Sequence, residues 1–353
     1  MTAWKFGTAI VAATALIASA GAYAQTKIRI VSAATVLDAS QANNSSIPLH
    51  LGYWKSEGLD VEVQPSTASA SVQALLTGNA EVAYGGASSA LAAREKGAKL
   101  KAVYLNVRKN IYYPAVLASS DIRSIRDFKG KIMGVSSYGA QMNLIFKAMF
   151  EEAGLDPAKD VQIVEIGVGP QALTALSNNR VQIWGTWDAQ VSTIENLGFQ
   201  VRKFTSPLAE GLSFGAAYYV REDYLEKNRD VVAKLMRGIA KGTVFALANP
   251  NAAIDIHFKT FPNTKPTGVD DATAVKQALN IFNGRAISLG KEPNEKWGEF
   301  SEQTVVATKD FLLKAGLLKK DFAPKEFYTN EIIDEANRFD EAAIRKQAAD
   351  YGK

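Results

Sequence analysis

Cysteine is absent from this chain of 353 residues, and histidine occurs only twice, at His50 and His257. The lack of cysteine excludes disulfides, thiolate catalysis, cysteine-ligated zinc and iron–sulfur clusters. The two histidines lie far apart along the chain, which disfavours a histidine-built metal site and a Ser-His-Asp triad. We therefore expect neither a bound metal ion nor a cofactor.

The common catalytic and nucleotide-binding motifs are also missing. Residues 134–138 and 86–90 resemble a Gly-x-Ser-x-Gly nucleophile elbow, but both lack its last glycine. No Gly-x-Gly-x-x-Gly follows the first predicted strand, and no phosphate loop ending in Gly-Lys-Ser or Gly-Lys-Thr occurs. Ser136 would need a base to act as a nucleophile, and neither histidine is well placed in the sequence. We predict that the protein is not an enzyme.

A strong excess of charge is lacking as well. The 40 Lys and Arg residues nearly balance the 36 Asp and Glu residues, which gives a formal net charge of +4 without a run of like charges. Binding to nucleic acid or to a membrane surface normally requires a basic patch. The composition therefore argues against both kinds of partner.

The long apolar stretch of the sequence lies at its N-terminus. Residues 1–24 contain one lysine and an Ala-rich apolar segment that ends in Ala22-Tyr23-Ala24. Small residues at the third and first positions before a cut are what signal peptidase accepts, so we predict a signal peptide cleaved between Ala24 and Gln25. The stretch is poorer in Leu and Ile than a membrane anchor, which is the alternative. We expect a soluble, periplasmic mature protein.

From Gln25 onward, strand-like and helix-like segments alternate. "KIRIVSA" (27–33), "VEVQP" (61–65) and "AEVAYGG" (80–86) read as strands, with helix-like segments between them. This alternation is typical of α/β proteins with mostly parallel sheets flanked by helices. Beyond about residue 224 the pattern is mainly helical, and we expect the last helices to pack on the outside.

The strand–helix plan occurs twice. "SEGLD" (56–60) matches "EAGLD" (152–156), and "ASVQALLTGNAEVAYGG" (70–86) matches "QALTALSNNRVQIWGTW" (171–187). The second match places Gly78 on Asn179, the two residue types that most readily adopt a left-handed helix end. The alternative is that all α/β units look alike. We predict two lobes, hinged by two crossing strands near residues 112–115 and 212–217.

The predicted boundaries follow from these crossings. Lobe 1 comprises residues 25–112 and 214–353, including the C-terminal helices, and lobe 2 comprises residues 113–213. A hinge between two lobes creates a cleft in which a ligand can bind. In open α/β sheets, ligands bind at the loops that follow the carboxyl ends of the strands. The corresponding loops here are residues 32–46, 65–70, 85–90, 136–141, 167–171 and 185–190.

Most of these loops carry Ser, Thr or Asn where a helix is about to begin. Such residues, with the glycines, let several helix N-termini offer N–H donors to one small anion. The alternative is ordinary helix capping. Trp187 and Tyr112 are candidates for stacking on a planar ligand, and Asp188 either neutralises a ligand ammonium group or caps a helix. Arg108 and Lys109 are the nearest predicted cations.

Three segments resemble a known family. "PLHLGYWKSEGLDVEV" (48–63) resembles the first-lobe signature of the periplasmic solute-binding proteins of ABC importers, in the nitrate/sulfonate/taurine and thiamine-pyrimidine group. "ALLTGNAEVAYGG" (74–86) looks like the next element of that group. "IRDFKGKIMGVSS" (125–137) resembles its entry into the second lobe. The similarity runs from about residue 27 to residue 225.

The resemblance implies a two-lobe, Venus-flytrap fold of the type II periplasmic binding proteins. It also implies a monomer that captures a small molecule and delivers it to the permease of an ABC transporter in the inner membrane. The family contacts, together with the loops described above, define the predicted site. The predicted substrate-binding residues are Asp38, Asn43, Asn44, Ser66, Thr67, Gly86, Ala87, Ser88, Tyr112, Ser136, Ser137, Tyr138, Trp187 and Asp188.

The ligand remains open at this point. Hydroxyls and N–H donors alone favour an anion such as a sulfonate, nitrate or a carboxylate. If Asp38 or Asp188 points inward, a zwitterion such as taurine fits better, and if Trp187 and the tyrosines line the cleft, a pyrimidine or another aromatic ligand does. A sensor or an enzyme that uses the same cleft is the alternative. The enzymatic branch of the family relies on a cysteine-rich motif, which this chain lacks.

Overall fold

The computed structural model describes residues 25–136, 138, 141–212 and 214–353. The predicted signal peptide, residues 1–24, lies outside the described residues. Ten strands form two five-stranded sheets within the part of the chain that is described. Each sheet forms the centre of one lobe.

The sheet of lobe 1 is built from both ends of its sequence. Its strands are β1 (Thr26–Ser32), β2 (Leu59–Pro65), β3 (Val82–Gly85), β4 (Leu100–Val107) and β10 (Ala216–Arg221). Their order is β2-β1-β3-β10-β4. The first three pair in parallel, whereas β10 is antiparallel to both β3 and β4. Four strands therefore point one way and β10 points the other.

The sheet of lobe 2 repeats this arrangement. Its strands are β5 (Tyr112–Leu117), β6 (Lys131–Val135), β7 (Val161–Glu165), β8 (Ile183–Trp187) and β9 (Val201–Lys203). Their order is β7-β6-β8-β5-β9, and β5 is antiparallel to β8 and β9. In each sheet the reversed strand is the one that the chain forms directly after crossing from the other lobe. The crossing segments are residues 108–111 and 204–215.

Helices cover the sheets. Lobe 1 has α1 (Ser46–His50), α2 (Ala68–Leu76) and α3 (Ala87–Glu95), and lobe 2 has α4 (Met142–Glu152), α5 (Pro170–Ser177), α6 (Asp188–Asn196) and α7 (Pro207–Gly211). The C-terminal part forms α8 (Glu222–Lys227), α9 (Arg229–Ala248), α10 (Pro250–Thr260), α11 (Asp271–Ala286), α12 (Glu302–Lys314), α13 (Pro324–Phe327), α14 (Ile333–Ala336) and α15 (Glu341–Asp350). Short 3-10 helices span Ala39–Asn44, Lys55–Glu57, Ile125–Phe128 and Pro262–Thr264.

The C-terminal helices do not merely cover the outside. The buried core of lobe 1 includes residues of α9, α10 and α11, and α11 also packs against α6 of lobe 2. Asp270 and Ser301 begin α11 and α12 by accepting backbone N–H groups, as helix-capping residues do. The expectation of packing on the outside concerned residues 302–318 and 330–352, whereas α11 precedes them and contacts both lobes. Among the described residues, no helix is long and apolar enough to cross a membrane.

The predicted equivalence of Gly78 and Asn179 is confirmed. Gly78 has φ +76° and Asn179 has φ +53°, and Asn179 is the only described residue other than glycine with a positive φ. The two residues follow α2 and α5, which occupy equivalent places in the two lobes. Both lobes therefore end this helix with a left-handed residue before the next strand.

The left-handed conformation of Asn179 leads to a test. We expect Asn179→Gly to change the free energy of unfolding by less than about 0.5 kcal/mol, because glycine adopts this φ without strain. Asn179→Val should cost about 1–2 kcal/mol, since a β-branched side chain clashes there. Urea denaturation of the two variants measures the difference. Equal stabilities would contradict a left-handed cap.

Candidate functional site

The carboxyl ends of β1, β3 and β8 and the amino end of the reversed strand β5 lie at the boundary between the lobes. On the side of lobe 2, Tyr112 of β5 pairs with Trp187 of β8, so these two aromatic residues are neighbours at the sheet edge. Both are half-buried and pack against the hydrophobic cores on either side. On the side of lobe 1, Ser32 of β1 lies beside Tyr84 of β3. These four strand ends form the floor of the cleft on its two sides.

The first direct contact between the lobes is at the N-terminus of α3. The side-chain oxygen Oε1 of Gln141, in lobe 2, accepts the N–H of Ser88, in lobe 1, at 3.0 Å. Gly86 makes this approach possible, since a Cβ at that position would lie 2.4 Å from the same oxygen. Helix N-termini attract oxygen atoms that carry negative charge. Here an amide oxygen of the other lobe occupies that position.

The second contact is a buried ion pair between Asp188 and Arg285. Arg285 of α11 donates from Nε to Oδ2 of Asp188 at 2.6 Å and from Nη2 to Oδ1 at 2.7 Å. Only 7% of each side chain is exposed. Although burial opposes the charge of Arg285, the carboxylate of Asp188 raises the pKa of Arg285 above its usual value. This two-bonded pair joins the C-terminal helices of lobe 1 to lobe 2.

A second carboxylate, that of Asp38, lies near the pair. Asp38 begins the 3-10 helix Ala39–Asn44, and its Oδ1 accepts the N–H of Ser40 at 2.9 Å and its hydroxyl at 2.5 Å. Burial raises the pKa of Asp38, the hydroxyl of Ser40 and the charge of Arg285 lower it, and the charge of Asp188 raises it. Among the described residues, Oδ2 of Asp38 has no hydrogen-bond partner. The pKa of Asp38 is raised overall, and α11, which carries Arg285, packs against the 3-10 helix that Asp38 begins.

Three tyrosines surround these charges. Burial raises the pKa of Tyr84 and raises the pKa of Tyr112 to about 12, and the charges of Arg285 and Asp188 act on both. The pKa of Tyr113 is also raised by burial, and the charge of Asp188 adds to this effect. Each phenol therefore keeps its proton at neutral pH and can donate a hydrogen bond.

Buried polar contacts within lobe 1 hold the loop that carries Asp38. Ser32 Oγ donates to Oε1 of Gln41 at 2.8 Å. Asn43 Nδ2 donates to Thr243 at 3.0 Å and to Asn106 at 3.3 Å. At the end of the loop, Ser46 Oγ lies 3.0 Å from Nδ1 of the buried His257. A site held by such contacts needs little ordering when a ligand binds.

The predicted site residues fall into several groups. Asp38, Tyr112 and Asp188 come together with Arg285, and Trp187 lies beside them. Gly86, Ala87 and Ser88 form the N-terminus of α3 at the contact with Gln141. Asn43 and Asn44 are buried inside lobe 1, where Asn43 donates to Thr243 and Asn106. Ser66 donates its N–H to the carbonyl of Ala34, and Thr67 caps α2.

The remaining predicted residues belong to the loop after β6. Ser136 is half-buried, and the side chain of Tyr138 is 61% exposed with its N–H bonded to Glu165. Ser137 lies outside the described residues. None of these facts decides whether the loop touches a ligand, so its role stays a prediction.

Three residues at the boundary were not predicted from the sequence: Arg285, Gln141 and Tyr84. Arg285 comes from a helix of lobe 1 that follows the last strand of both sheets in the sequence, and no motif surrounds it. The predicted cations fit less well, because Arg108 is bonded to Glu295 at 2.5 Å and to the carbonyl of Glu299. Only two sequence signals pointed to the charged centre, which comprises Asp38, Asp188 and Arg285. They were the neighbouring tyrosines at the predicted crossing and the single aspartate in the first loop.

A separate cavity of about 550 Å³ lies beside the crossing segments, not at the charged centre. Arg108, Tyr113, Thr205, Glu210 and Glu292 are among its lining residues, and none of the thirteen predicted substrate-binding residues that the structure describes lines it. Within the described part of the chain, no group of three or more His, Cys, Asp and Glu side chains is placed to hold a metal ion.

Comparison with known proteins agrees with this architecture. A family model described as NMT1/THI5 like matches residues 47–253, more than half of the chain. The chain belongs to the NMT1/THI5-like family. This confirms the resemblance on which the predicted site was based.

Two relatives illustrate the breadth of the NMT1/THI5-like family around this chain. A Brucella abortus protein named as a binding protein is 23% identical over 287 residues, which cover 80% of this chain and 85% of the relative. The formylaminopyrimidine-binding protein of Halalkalibacterium halodurans is 24% identical over 288 residues, covering 75% and 84%.

Solved structures share the fold. The alkanesulfonate-binding protein SsuA of Xanthomonas axonopodis pv. citri, bound to MOPS, has a TM-score of 0.64 at 17% identity, covering 86% of this chain and 98% of that one. SsuA of Escherichia coli has a TM-score of 0.63 at 18% identity, covering 85% and 96%. These matches confirm the two-lobe periplasmic-binding-protein fold.

The fold also occurs in an enzyme. The desulfurization enzyme DSZB has a TM-score of 0.56 at 12% identity, covering 88% of this chain and 99% of that one. The relatives with higher sequence similarity are named for binding rather than for catalysis. The fold therefore leaves both activities open, and the sequence relatives favour a binding protein.

Proposed function

We propose that this chain is the substrate-binding component of an ABC import system, exported to the periplasm, and that it captures a small ligand with an amino group between its lobes. The ligand that the cleft suits best is planar and aromatic, of the aminopyrimidine kind. Closure of the lobes buries the ligand, and the closed form docks on the permease.

The observation that carries this proposal is the excess of carboxylate at the centre of the cleft. Both side-chain hydrogen bonds of Arg285 go to Asp188, and among the described residues Asp38 makes no ion pair, so its carboxyl group is left without a cation partner. An amino group can donate hydrogen bonds to the open Oδ2 of Asp38, whereas a simple anion such as nitrate would be repelled.

The aromatic side chains support a planar ligand. Tyr112 and Trp187 are adjacent at the end of the sheet of lobe 2, and Tyr84 faces the same charges from lobe 1. Aromatic side chains stack on flat rings and contribute apolar contact area. The named activity of the Halalkalibacterium halodurans relative agrees with such a ligand.

A zwitterion such as taurine is the second candidate. The N–H of Ser88 at the start of α3 already holds an oxygen atom, that of Gln141. A sulfonate oxygen could take this place while an ammonium group reaches Asp38. The structural similarity to the two SsuA proteins supports this alternative through the fold alone.

Matched pairs of ligands test the proposal. Thermal shift and calorimetry should compare an aminopyrimidine with unsubstituted pyrimidine, and taurine with ethanesulfonate, which lacks the amino group. We expect the amino member of one pair to bind and to stabilise the protein by about 2.7 kcal/mol at 100 times its Kd. Asp38→Asn should weaken that binding at least about tenfold, because a charge-assisted hydrogen bond is lost.

The control is Asp60→Asn, which removes an exposed carboxylate from β2. It should leave the affinity unchanged. Equal binding of ethanesulfonate and taurine, or preferred binding of nitrate, would contradict the requirement for an amino group. A protein that none of these ligands stabilises would count against the proposed class of ligand.

A further inference from the structure

Arg285 belongs to α11, which packs against two elements of different lobes, and each of these elements carries an aspartate at its start. Asp38 begins the 3-10 helix Ala39–Asn44, against which α11 packs within lobe 1. Asp188 is the first residue of α6 in lobe 2, and its own N–H is bonded to the carbonyl of Ile111 in a crossing segment. A hinge motion therefore changes the distance between the backbones of Arg285 and Asp188. It leaves the distance between the backbones of Arg285 and Asp38 nearly constant.

The other side-chain hydrogen bonds between α6 and α11 can be broken at small cost. Nδ2 of Asn196 donates to the carbonyl of Gln277 at 2.9 Å, and Nδ2 of Asn280 donates to Oδ1 of Asn196 at 3.0 Å and to the carbonyl of Ser192 at 3.4 Å. Water can replace these partners when the helices separate. Arg285 is different, because a buried guanidinium without a carboxylate is strongly unfavourable.

In its own lobe, Asp38 is the carboxylate that can replace Asp188. The helix that carries Arg285 packs against the 3-10 helix that Asp38 begins, and among the described residues the hydrogen bonds of Asp38 are made by Oδ1 and not by Oδ2. Its Oδ1 is held by Ser40, so Oδ2 can accept from the guanidinium without displacing that contact.

We propose that Arg285 exchanges partners when the lobes move, binding Asp38 when they are apart and Asp188 when they are together. Closure then removes the guanidinium from Asp38 and leaves that carboxylate free for the amino group of the ligand. This last step rests on the function proposed above, whereas the exchange itself does not. Because Asp38 is free of the guanidinium only after the exchange, the closed form binds an amino group most strongly.

The test measures the distance between the lobes without any ligand. Because the chain has no cysteine, Lys96→Cys and Lys159→Cys introduce one spin label on an exposed position of each lobe. Double electron–electron resonance then gives the ratio of open to closed forms. We expect Asp188→Asn to raise this ratio at least about tenfold, because the closed form loses its charged partner. We expect Asp38→Asn to lower the ratio of open to closed forms about threefold or more, because the open form loses the carboxylate that pairs with Arg285.

The matched control is Glu57→Gln, which breaks the half-buried pair of Glu57 with Arg237 inside lobe 1. It should leave the ratio unchanged. Shifts of Asp38→Asn and Asp188→Asn in the same direction, or no shift in either, would overturn the exchange. Arg285→Lys is a second test of the exchange. We expect it to raise the ratio of open to closed forms less than Asp188→Asn does, since an ammonium group cannot make both bonds at once.

These results do not depend on the ligand. If no aminopyrimidine or zwitterion binds but the two variants shift the ratio in opposite directions, the exchange stands and the proposed ligand class fails. If an amine binds but the ratio does not respond, the ligand class stands and the exchange fails.

Discussion

Arg285→Met is expected to lower the free energy of unfolding by about 3–5 kcal/mol. The variant leaves Asp188 with 7% of its side chain exposed and removes both of its hydrogen bonds to the guanidinium. A buried carboxylate that loses its cation keeps the cost of its desolvation and loses the attraction that offset it. Urea denaturation at neutral pH measures the loss.

Two further variants separate charge from packing. Arg345→Met breaks a pair with Glu341 whose side chains are 50% and 38% exposed, and it should cost less than about 1 kcal/mol. Adding Asp188→Asn to Arg285→Met should recover more than half of the loss, because the stranded charge disappears. Its amide oxygen can still accept the N–H of Ala189, as Oδ1 does now. A loss below 1 kcal/mol for Arg285→Met, or no recovery in the double variant, would contradict the importance of the pair.

The second large effect is a loss of stability in acid that originates at His257. The imidazole is fully buried, and burial lowers the pKa of His257 to about 4 from the ordinary 6.5, against a smaller opposing effect of the Leu37 carbonyl. Between these two values the unfolded chain binds a proton that the folded chain does not. Stability is therefore complete above pH 6.5 and falls as the pH decreases to 4, by about 3 kcal/mol in total.

Comparison of the wild type with His257→Gln isolates this effect. The difference between their free energies of unfolding should shift by about 3 kcal/mol in favour of the variant between pH 6.5 and pH 4. His50→Gln is the control, because His50 is exposed at the end of α1 and folding does not remove it from water. A constant difference across this range would show that His257 does not titrate as its burial requires.

His257 and Arg285 also have a common structural role. Both lie in the C-terminal part of the chain, and both reach the first loop of lobe 1 or the charges next to it: His257 contacts Ser46, and Arg285 acts on Asp38. The C-terminal helices thus hold the segment that carries the proposed ligand contact. Removal of either side chain should disturb ligand affinity as well as stability.

Much of the architecture could be predicted from local patterns. The segment 61–65 was expected as a strand and lies within β2, and the left-handed ends at Gly78 and Asn179 follow from residue type. Such features depend on interactions within a few residues, so the sequence pattern contains them. The two antiparallel strands β5 and β10 were expected only as crossings, because their direction depends on which strands they meet after changing lobes.

Only part of the candidate site could be predicted from local sequence patterns. Asp38, Tyr112, Trp187 and Asp188 were expected because they follow predicted strands, where α/β sheets place ligands. Arg285 was not expected, since its helix begins more than 200 residues after Asp38 and carries no motif. Its partner could be found only from the packing of α11 against α6.

The sequence by itself determined the classes of chemistry that are excluded, the α/β plan, the repeat of that plan and the family, because composition and local spacing carry this information. The tertiary structure decided which charges meet. It pairs the guanidinium of Arg285 with Asp188 across the boundary of the lobes, on a helix that also packs against the segment begun by Asp38. Electrostatic balance depends on distances of a few ångströms between residues remote in sequence, and only the folded chain sets those distances.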